Sequence, residues 1–428
     1  MSFIHSLDRA YLDFFRKYPA IALVGLVSFL GEFAFGIVLV MLPLHLVAAF
    51  GDQTMVASLR IATVRLITYS VAVFAVTEMA LQAPMGHLSD RVGRRSVAML
   101  GIVLSSCAPC TMYFAQAPLL FVIVRVMDGI GSAGLWSSII ALASDLTESR
   151  DRATSMSVVN TSRMLGLALG PSTGLCVAHL TGSNRSPFAV SFFLFCVVLI
   201  VCALLLPRQS KRGPTDPDAS RSKRMETGGL LAWAREAAVT LRQTPALGVM
   251  LVTYVALQFG VTLPAPIIPV YAKEFLGFSE REMSLAFLIP AVTVAVISLP
   301  LARLADQYGK LRAIKLSLTI CTVGMLLVPQ FRSLFPVMAC IGILAVAYAW
   351  GIPSWLGLTS VMVPADRQGL TMGMMNAARG VGFCLGPIVG GEAWVRGGPT
   401  APYYASGLLF AGCLVAILLL LKSPEPGV

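Results

Sequence analysis

The chain has 428 residues, 57% of them hydrophobic and 12% charged, against about 25% charged in an average soluble domain. That balance excludes an ordinary soluble globular domain and points to a protein solvated by lipid. The formal charge of +11 does not indicate a nucleic-acid binder, because most Lys and Arg residues fall on alternate connections between apolar runs, the pattern of positive charge on the inner side of a membrane.

A membrane-crossing helix needs about 20 apolar residues, since the hydrocarbon core is about 30 Å thick and a helix rises about 1.5 Å per residue. Runs of this kind predict twelve helices, over 20–46, 66–86, 97–115, 118–142, 154–179, 188–206, 246–270, 283–303, 313–329, 334–361, 370–392 and 402–421. The first run is too long for a leader core and has no small-residue cleavage pattern after it, so it reads as a retained helix. An even number of spans puts both ends of the chain on the cytoplasmic side. The expected organisation is a six-helix bundle over 1–206, a basic cytoplasmic linker over 207–245 and a second six-helix bundle over 246–428. The linker carries Lys211, Arg212, Lys223 and Arg224 with Pro214 and Pro217. Its Trp233, Arg235 and Glu236 fit either a helix lying on the inner leaflet or a solvated connection. The nine Cys residues sit in apolar segments as small hydrophobes. Cys107 and Cys110 form a lone C-x-x-C without a second pair or a nearby His, so no metal site is expected.

An internal repeat organises the rest. GHLSDRVGRR from Gly86 and ARLADQYGKL from Ala302 are 216 residues apart, which places Asp90 over Asp306, Gly93 over Gly309 and Arg94 over Lys310. The same offset superposes Asn160 on Asn376, Arg163 on Arg379, Gly166 on Gly382, Gly170 on Gly386, Pro171 on Pro387 and Gly174 on Gly390. Two separated matches at one offset indicate duplication of a six-helix unit. Six is even, so the copies share one membrane orientation, an arrangement that places a site at their interface near mid-membrane.

Gly86, Leu88, Asp90, Arg91, Gly93, Arg94 and Arg95 form G-x-L-x-D-R-x-G-R-R, which resembles the loop between helices two and three of the major facilitator superfamily. The resemblance extends over nearly the whole chain and implies a fold of two pseudo-symmetric six-helix bundles, with this loop and its second copy at Asp306 acting as a cytoplasmic gate. The glycines permit a tight turn, and Asp90 can pair with a basic group or cap a helix start. RVMDGIGSAG from Arg125 is similar to the family's R-x-x-Q-G-x-G-x-A segment, with Asp128 where Gln is usual. GLALGPSTG from Gly166 is close to the G-x-x-x-G-P-x-x-G-G segment of the family's drug and metabolite antiporters. Gly166, Gly170, Pro171 and Gly174, with Gly382, Gly386 and Pro387 in the other copy, are expected to pack helices closely and bend them.

Ionisable residues inside apolar helices carry the functional expectations. Glu32 and Glu78 lie too deep to reach the membrane surface with their side chains, and removal from water disfavours a charged carboxylate, so such groups can load and release protons. Each could instead be locked to an Arg, such as Arg125. The i, i+3 spacing of Arg125 and Asp128 suits an ion pair, and the resemblance implies a part for Arg125 in proton coupling. Proton coupling is therefore expected of Glu32, Glu78, Arg125 and Asp128, with Glu32 the leading carrier. Asn160, Arg163, Tyr254, Gln258, Asn376 and Arg379 are expected to line a substrate cavity, the two Arg residues favouring an anionic group unless they serve structure alone.

The resulting expectation is a proton-coupled antiporter of the bacterial inner membrane that exports a drug, siderophore or other small metabolite. The alternatives are uptake of an organic anion by symport, or a membrane receptor that has lost transport. No phosphate-loop motif or nucleophile constellation is present, so an ion gradient rather than a cofactor would supply energy and no enzymatic activity is expected. The expected partners are a small-molecule substrate, protons and the bilayer, with the chain acting as a monomer.

Overall fold

A computed structural model describes residues 14–50, 57–115, 117–148, 151–206, 235–293, 309–364 and 367–421. The first half contributes α1 (Pro19–Phe50), α2 (Ala57–Val92), α3 (Arg94–Phe114), α4 (Pro118–Asp145), α5 (Arg152–Thr181) and α6 (Ser186–Leu205). The second contributes α7 (Pro245–Thr262), α8 (helical over 280–293), α9 (Lys310–Leu327), α10 (Leu334–Val361), α11 (Gln368–Gly397) and α12 (Ala401–Leu420). Among the described residues, ten helical stretches are long and apolar enough to cross a membrane, α7 counting together with the turns that follow it to Phe275, and the chain is an integral membrane protein. A short helix over 235–243 precedes α7; Trp233, Asp306 and the end of the predicted eighth helix lie outside the described residues.

The expected helix over 246–270 is interrupted. Pro264, Pro266 and Pro269 withdraw backbone donors, so α7 stops at Thr262 and gives way to a 3-10 turn at Ala265–Ile267, a single turn at Ile268–Val270 and a π-helical turn at Tyr271–Phe275. In contrast, Pro171 and Pro387 stand inside the unbroken helices α5 and α11.

The chain divides into two compact units. The first comprises Met1–Leu59, Val73–Lys211 and Ser279–Leu288; the second comprises Arg60–Ala72, Arg212–Phe278 and Ile289–Val428. The exchanged pieces occupy equivalent repeat positions, since 63–72 falls on 279–288 at the 216-residue offset. In the first unit, Ser284 donates to the carbonyl of Ser172 at 2.9 Å. In the second, Arg65 grips Glu392 through Nε and Nη2 at 2.7 and 3.0 Å, while Tyr69 donates to the same carboxylate at 3.3 Å.

The first unit is built on α1 against α5 and α3 against α4, and the second on α7 against α11 and α9 against α10 and α12. Glycine makes the tightest of these approaches. A Cβ on Gly170 of α5 would stand 2.6 Å from the Phe33 carbonyl oxygen and 2.8 Å from Gly36 Cα of α1. Gly131 of α4 and Gly101 of α3 cross with equal closeness, a Cβ on Gly131 standing 2.6 Å from the Gly101 carbonyl. Gly382 of α11 lies 2.7 Å by the same measure from Gln258 Cβ and Phe259 N of α7. Leu135, Trp136, Ile139 and Phe195 fill the apolar core of the first unit, and Tyr254, Leu318, Trp355 and Phe410 that of the second.

Candidate functional site

The α2–α3 turn follows from its sequence. Gly93 has φ 111°, a conformation open to residues without a Cβ, and it lets the chain reverse directly from α2 into α3. Asp90 does not cap α3, whose first turn has no side-chain cap; it pairs with Arg94. Arg94 also reaches Asp145 at the end of α4 at 3.1 Å and donates to Ser89 at 2.7 Å. Arg95 donates to the carbonyls of Ala203 and Leu206 at the end of α6, where the helix dipole favours a cation. Arg91 is exposed and Gly86 half-buried. Gly309, the repeat partner of Gly93, has φ 92° and likewise precedes a helix.

Two ionic centres lie inside the first unit. In one, Arg163 of α5 donates from Nε and Nη2 to Glu32 Oε1 of α1 at 2.9 and 2.5 Å. Its guanidinium lies 3.9 Å from the Trp136 ring centroid, a cation–π contact that fixes the plane of the fork. Glu32 is thus held by Arg163 rather than by Arg125. In the other centre, Arg125 Nη1 meets Asp128 Oδ2 at 2.6 Å, and both are almost fully buried. Arg125 stacks 4.2 Å from Phe74 and 5.7 Å from Phe35, while Ser105 adds a hydrogen bond to Asp128. Glu78 of α2 accepts a hydrogen bond from Ser132 of α4 at 3.0 Å and acts electrostatically on Arg125. The i, i+3 spacing on α4 therefore makes the expected pair, and Ser132, which carries no sequence signal of its own, ties Glu78 to it.

The second unit repeats the arrangement with different chemistry. Tyr254 and Gln258 are buried between helices at 3% and 1% exposure. Gln258 Oε1 accepts a hydrogen bond from Tyr348 of α10 at 2.9 Å. Tyr348 was not identified from sequence, because a lone Tyr in an apolar helix has no distinguishing pattern. Arg379 is exposed, lies 5.3 Å from the Phe383 ring centroid and acts electrostatically on Tyr254 and Tyr348. Asn160 and Asn376 are exposed on the turns preceding Arg163 and Arg379. Among the described residues, no group of three or more His, Cys, Asp or Glu is arranged to hold a metal ion.

Comparisons with known proteins agree with this architecture. The chain is 21% identical to Multidrug resistance protein 1 of Bacillus subtilis, covering 83% of this chain and 87% of the relative. It is 25% identical to the proton-coupled antiporter flippase LtaA of Staphylococcus saprophyticus, covering 86% and 85%, respectively. It is 20% identical to the quinolone resistance protein NorA of Staphylococcus aureus, covering 81% and 86%. Among solved structures, the nucleoside transporter NupG superposes with a TM-score of 0.76 at 13% identity, covering 94% of this chain and all of that one. A D-xylose-proton symporter gives 0.72 at 18% identity, covering 95% and 98%. A sequence profile of the Major Facilitator Superfamily matches residues 24–254 and 250–428, so the chain is a transport protein belonging to that superfamily.

Proposed function

We propose that the protein is a proton-coupled antiporter that exports a small organic molecule by alternating access. The Glu32–Arg163 pair carries this reading. Two charges taken out of water are costly, and apolar replacements of similar volume are often at least as stable, so an ion pair inside membrane helices is a functional candidate by default. A proton on Glu32 cancels its charge and releases the Arg163 guanidinium; loss of the proton restores the pair. The carboxylate can then alternate between a proton and its Arg partner as access changes. Asp128 and Glu78 form a second acidic group beside Arg125 through which protons can pass. Relatives named for drug resistance and for proton-coupled antiport support export as the direction.

The test is transport by the full chain in liposomes under an imposed pH gradient, scanning lipophilic cations and organic acids. Cargo should move against the proton flux, and Glu32→Gln should abolish that coupling while the protein remains monodisperse. Full coupling in Glu32→Gln would transfer the role to Glu78 or Asp128. Co-directional movement of cargo and protons would replace antiport by symport, and the absence of any gradient-driven cargo movement would refute proton coupling.

A further inference from the structure

The repeat offset of 216 relates α5 to α11, but the helices packed against them follow another spacing. Gly166 meets Phe29, Glu32 and Phe33, whereas its copy Gly382 meets Gln258 and Phe259. Gly170 meets the Phe33 carbonyl and Gly36; Gly386 meets the Phe259 carbonyl and Thr262. Gly174 meets Ile37, and Gly390 meets Leu263. Phe33 therefore stands for Phe259, Gly36 for Thr262 and Ile37 for Leu263, each 226 residues apart. The residue in the place of Glu32 is Gln258.

This equivalence exposes a difference in charge. In the first unit, Arg163 is neutralised by Glu32 at 2.5 Å. In the second, the corresponding position holds a neutral amide whose oxygen is occupied by Tyr348. Arg379 makes no ion pair among the described residues, is exposed, and has Phe383 beside its guanidinium. One copy of the duplicated arrangement is balanced within the protein, and the other keeps a net positive charge. Arg is the residue suited to using that charge, since its planar fork matches the two oxygens of a carboxylate or the edge of a phosphate.

We propose that Arg379 anchors a carboxylate or phosphate group of the transported molecule, and that the Glu-to-Gln difference at position 258 keeps this anchor free to do so. The assignment rests on the transport reading above and names the cargo's chemical class. Tyr348 is a positioning residue: it donates to Gln258 Oε1 at 2.9 Å and holds the amide in place.

The test uses the full chain in phosphatidylcholine liposomes, with naphthalene-2-carboxylate and 2-naphthyl phosphate set against the neutral naphthalene-2-carboxamide, and with tetraphenylphosphonium as a cation. Binding and proton movement are read separately. At least one acid should bind tenfold or more tightly than the amide. Arg379→Gln should remove that preference and Arg379→Lys retain part of it. Gln258→Glu should also remove it by rebuilding the ion pair of the first unit. Because Arg379 is exposed, the Gln variant should elute as the wild type does, and the Lys variant separates loss of charge from loss of fold. Adding phosphatidylglycerol distinguishes the anion's source: competition with the acids identifies a soluble cargo site open to lipid, while occupancy by this lipid alone identifies a headgroup. Failure of both acids and of the anionic lipid to bind overturns the proposal, as does an acid preference that survives Arg379→Gln. Proton exchange with tetraphenylphosphonium while acids stay inert would leave antiport standing and remove the anion anchor; acid binding without proton movement would do the reverse.

Discussion

Gly170→Ala tests whether the glycine contacts set the approach of α1 to α5. The added Cβ would stand 2.6 Å from the Phe33 carbonyl oxygen, 2.8 Å from Gly36 Cα and 2.9 Å from Gly36 C. Ordinary carbon–oxygen contacts lie at about 3.3–3.6 Å, so the helices must part by about 0.7 Å or more at this crossing. Both clashing neighbours are backbone and cannot rotate away. Overpacking of this kind costs about 1–3 kcal/mol, equivalent to a fall of about 2–12 °C in melting temperature for a unit of this size. Gly412→Ala in α12 is the control, because a Cβ there meets nothing within 4 Å. It should be neutral or stabilising by about 0.5–1 kcal/mol through the conformational freedom removed from the unfolded chain. Thermal unfolding of the purified protein reads both. Equal melting temperatures for Gly170→Ala and wild type, or equal losses in the two variants, would refute the role given to the glycines.

Three further outcomes follow from named contacts. Arg125→Met should destabilise the first unit by about 3–5 kcal/mol, because it leaves Asp128 buried without its counter-charge; Arg125→Met combined with Asp128→Leu should recover most of the loss in the same melting assay. Gly93→Ala, forced to φ 111°, should cost about 1–3 kcal/mol, and Gly309→Ala should cost a similar amount at φ 92°; a variant melting like wild type would show that the turn adopts another path. At the start of α8, the Ser279 N–H and hydroxyl donate to Glu282 at 2.9 and 2.8 Å and hold its carboxyl below the ordinary value of 4.5. The cap should therefore be fully formed above about pH 4.5 and be lost as pH falls through the lowered value, seen as faster amide exchange, corrected for intrinsic rate, at 279–283; Glu282→Gln should remove that dependence.

The duplicated fold was legible because its signals are local. Gly93 and Gly309, with φ of 111° and 92°, and the apolar runs each dictate backbone behaviour where they stand. The Arg125–Asp128 pair was legible for the same reason, being separated by one helical turn. The partner of Glu32 was not, because Arg163 lies 131 residues away on another helix and nothing in the intervening sequence fixes how α1 rotates against α5. Gly101, which meets Gly131, belongs to no recognisable motif. The correspondence of Glu32 with Gln258 was hidden by spacing: the first half has ten more residues between its first helix and the GHLSDRVGRR turn than the second has before ARLADQYGKL, so one fixed offset aligns Glu32 with Gly248 instead.

The glycine ladder and the ionic centre form one structure. A Cβ on Gly166 would stand 3.2 Å from Glu32 Cβ, so the bare backbone of α5 holds Glu32 in place one turn from Arg163. An ion pair at 2.5 Å requires this close approach. The same ladder in α11 seats Gln258 against Gly382 and, among the described residues, leaves Arg379 without an acid to meet. Duplication thus preserved the packing that brings a helix to the Arg-bearing face, while a difference at one position, Glu32 against Gln258, decides whether the Arg charge is answered from within the protein. On that basis, enlarging Gly166 should disturb the Glu32–Arg163 pair as well as stability, whereas enlarging Gly382 should disturb packing and displace Gln258 without removing the charge of Arg379.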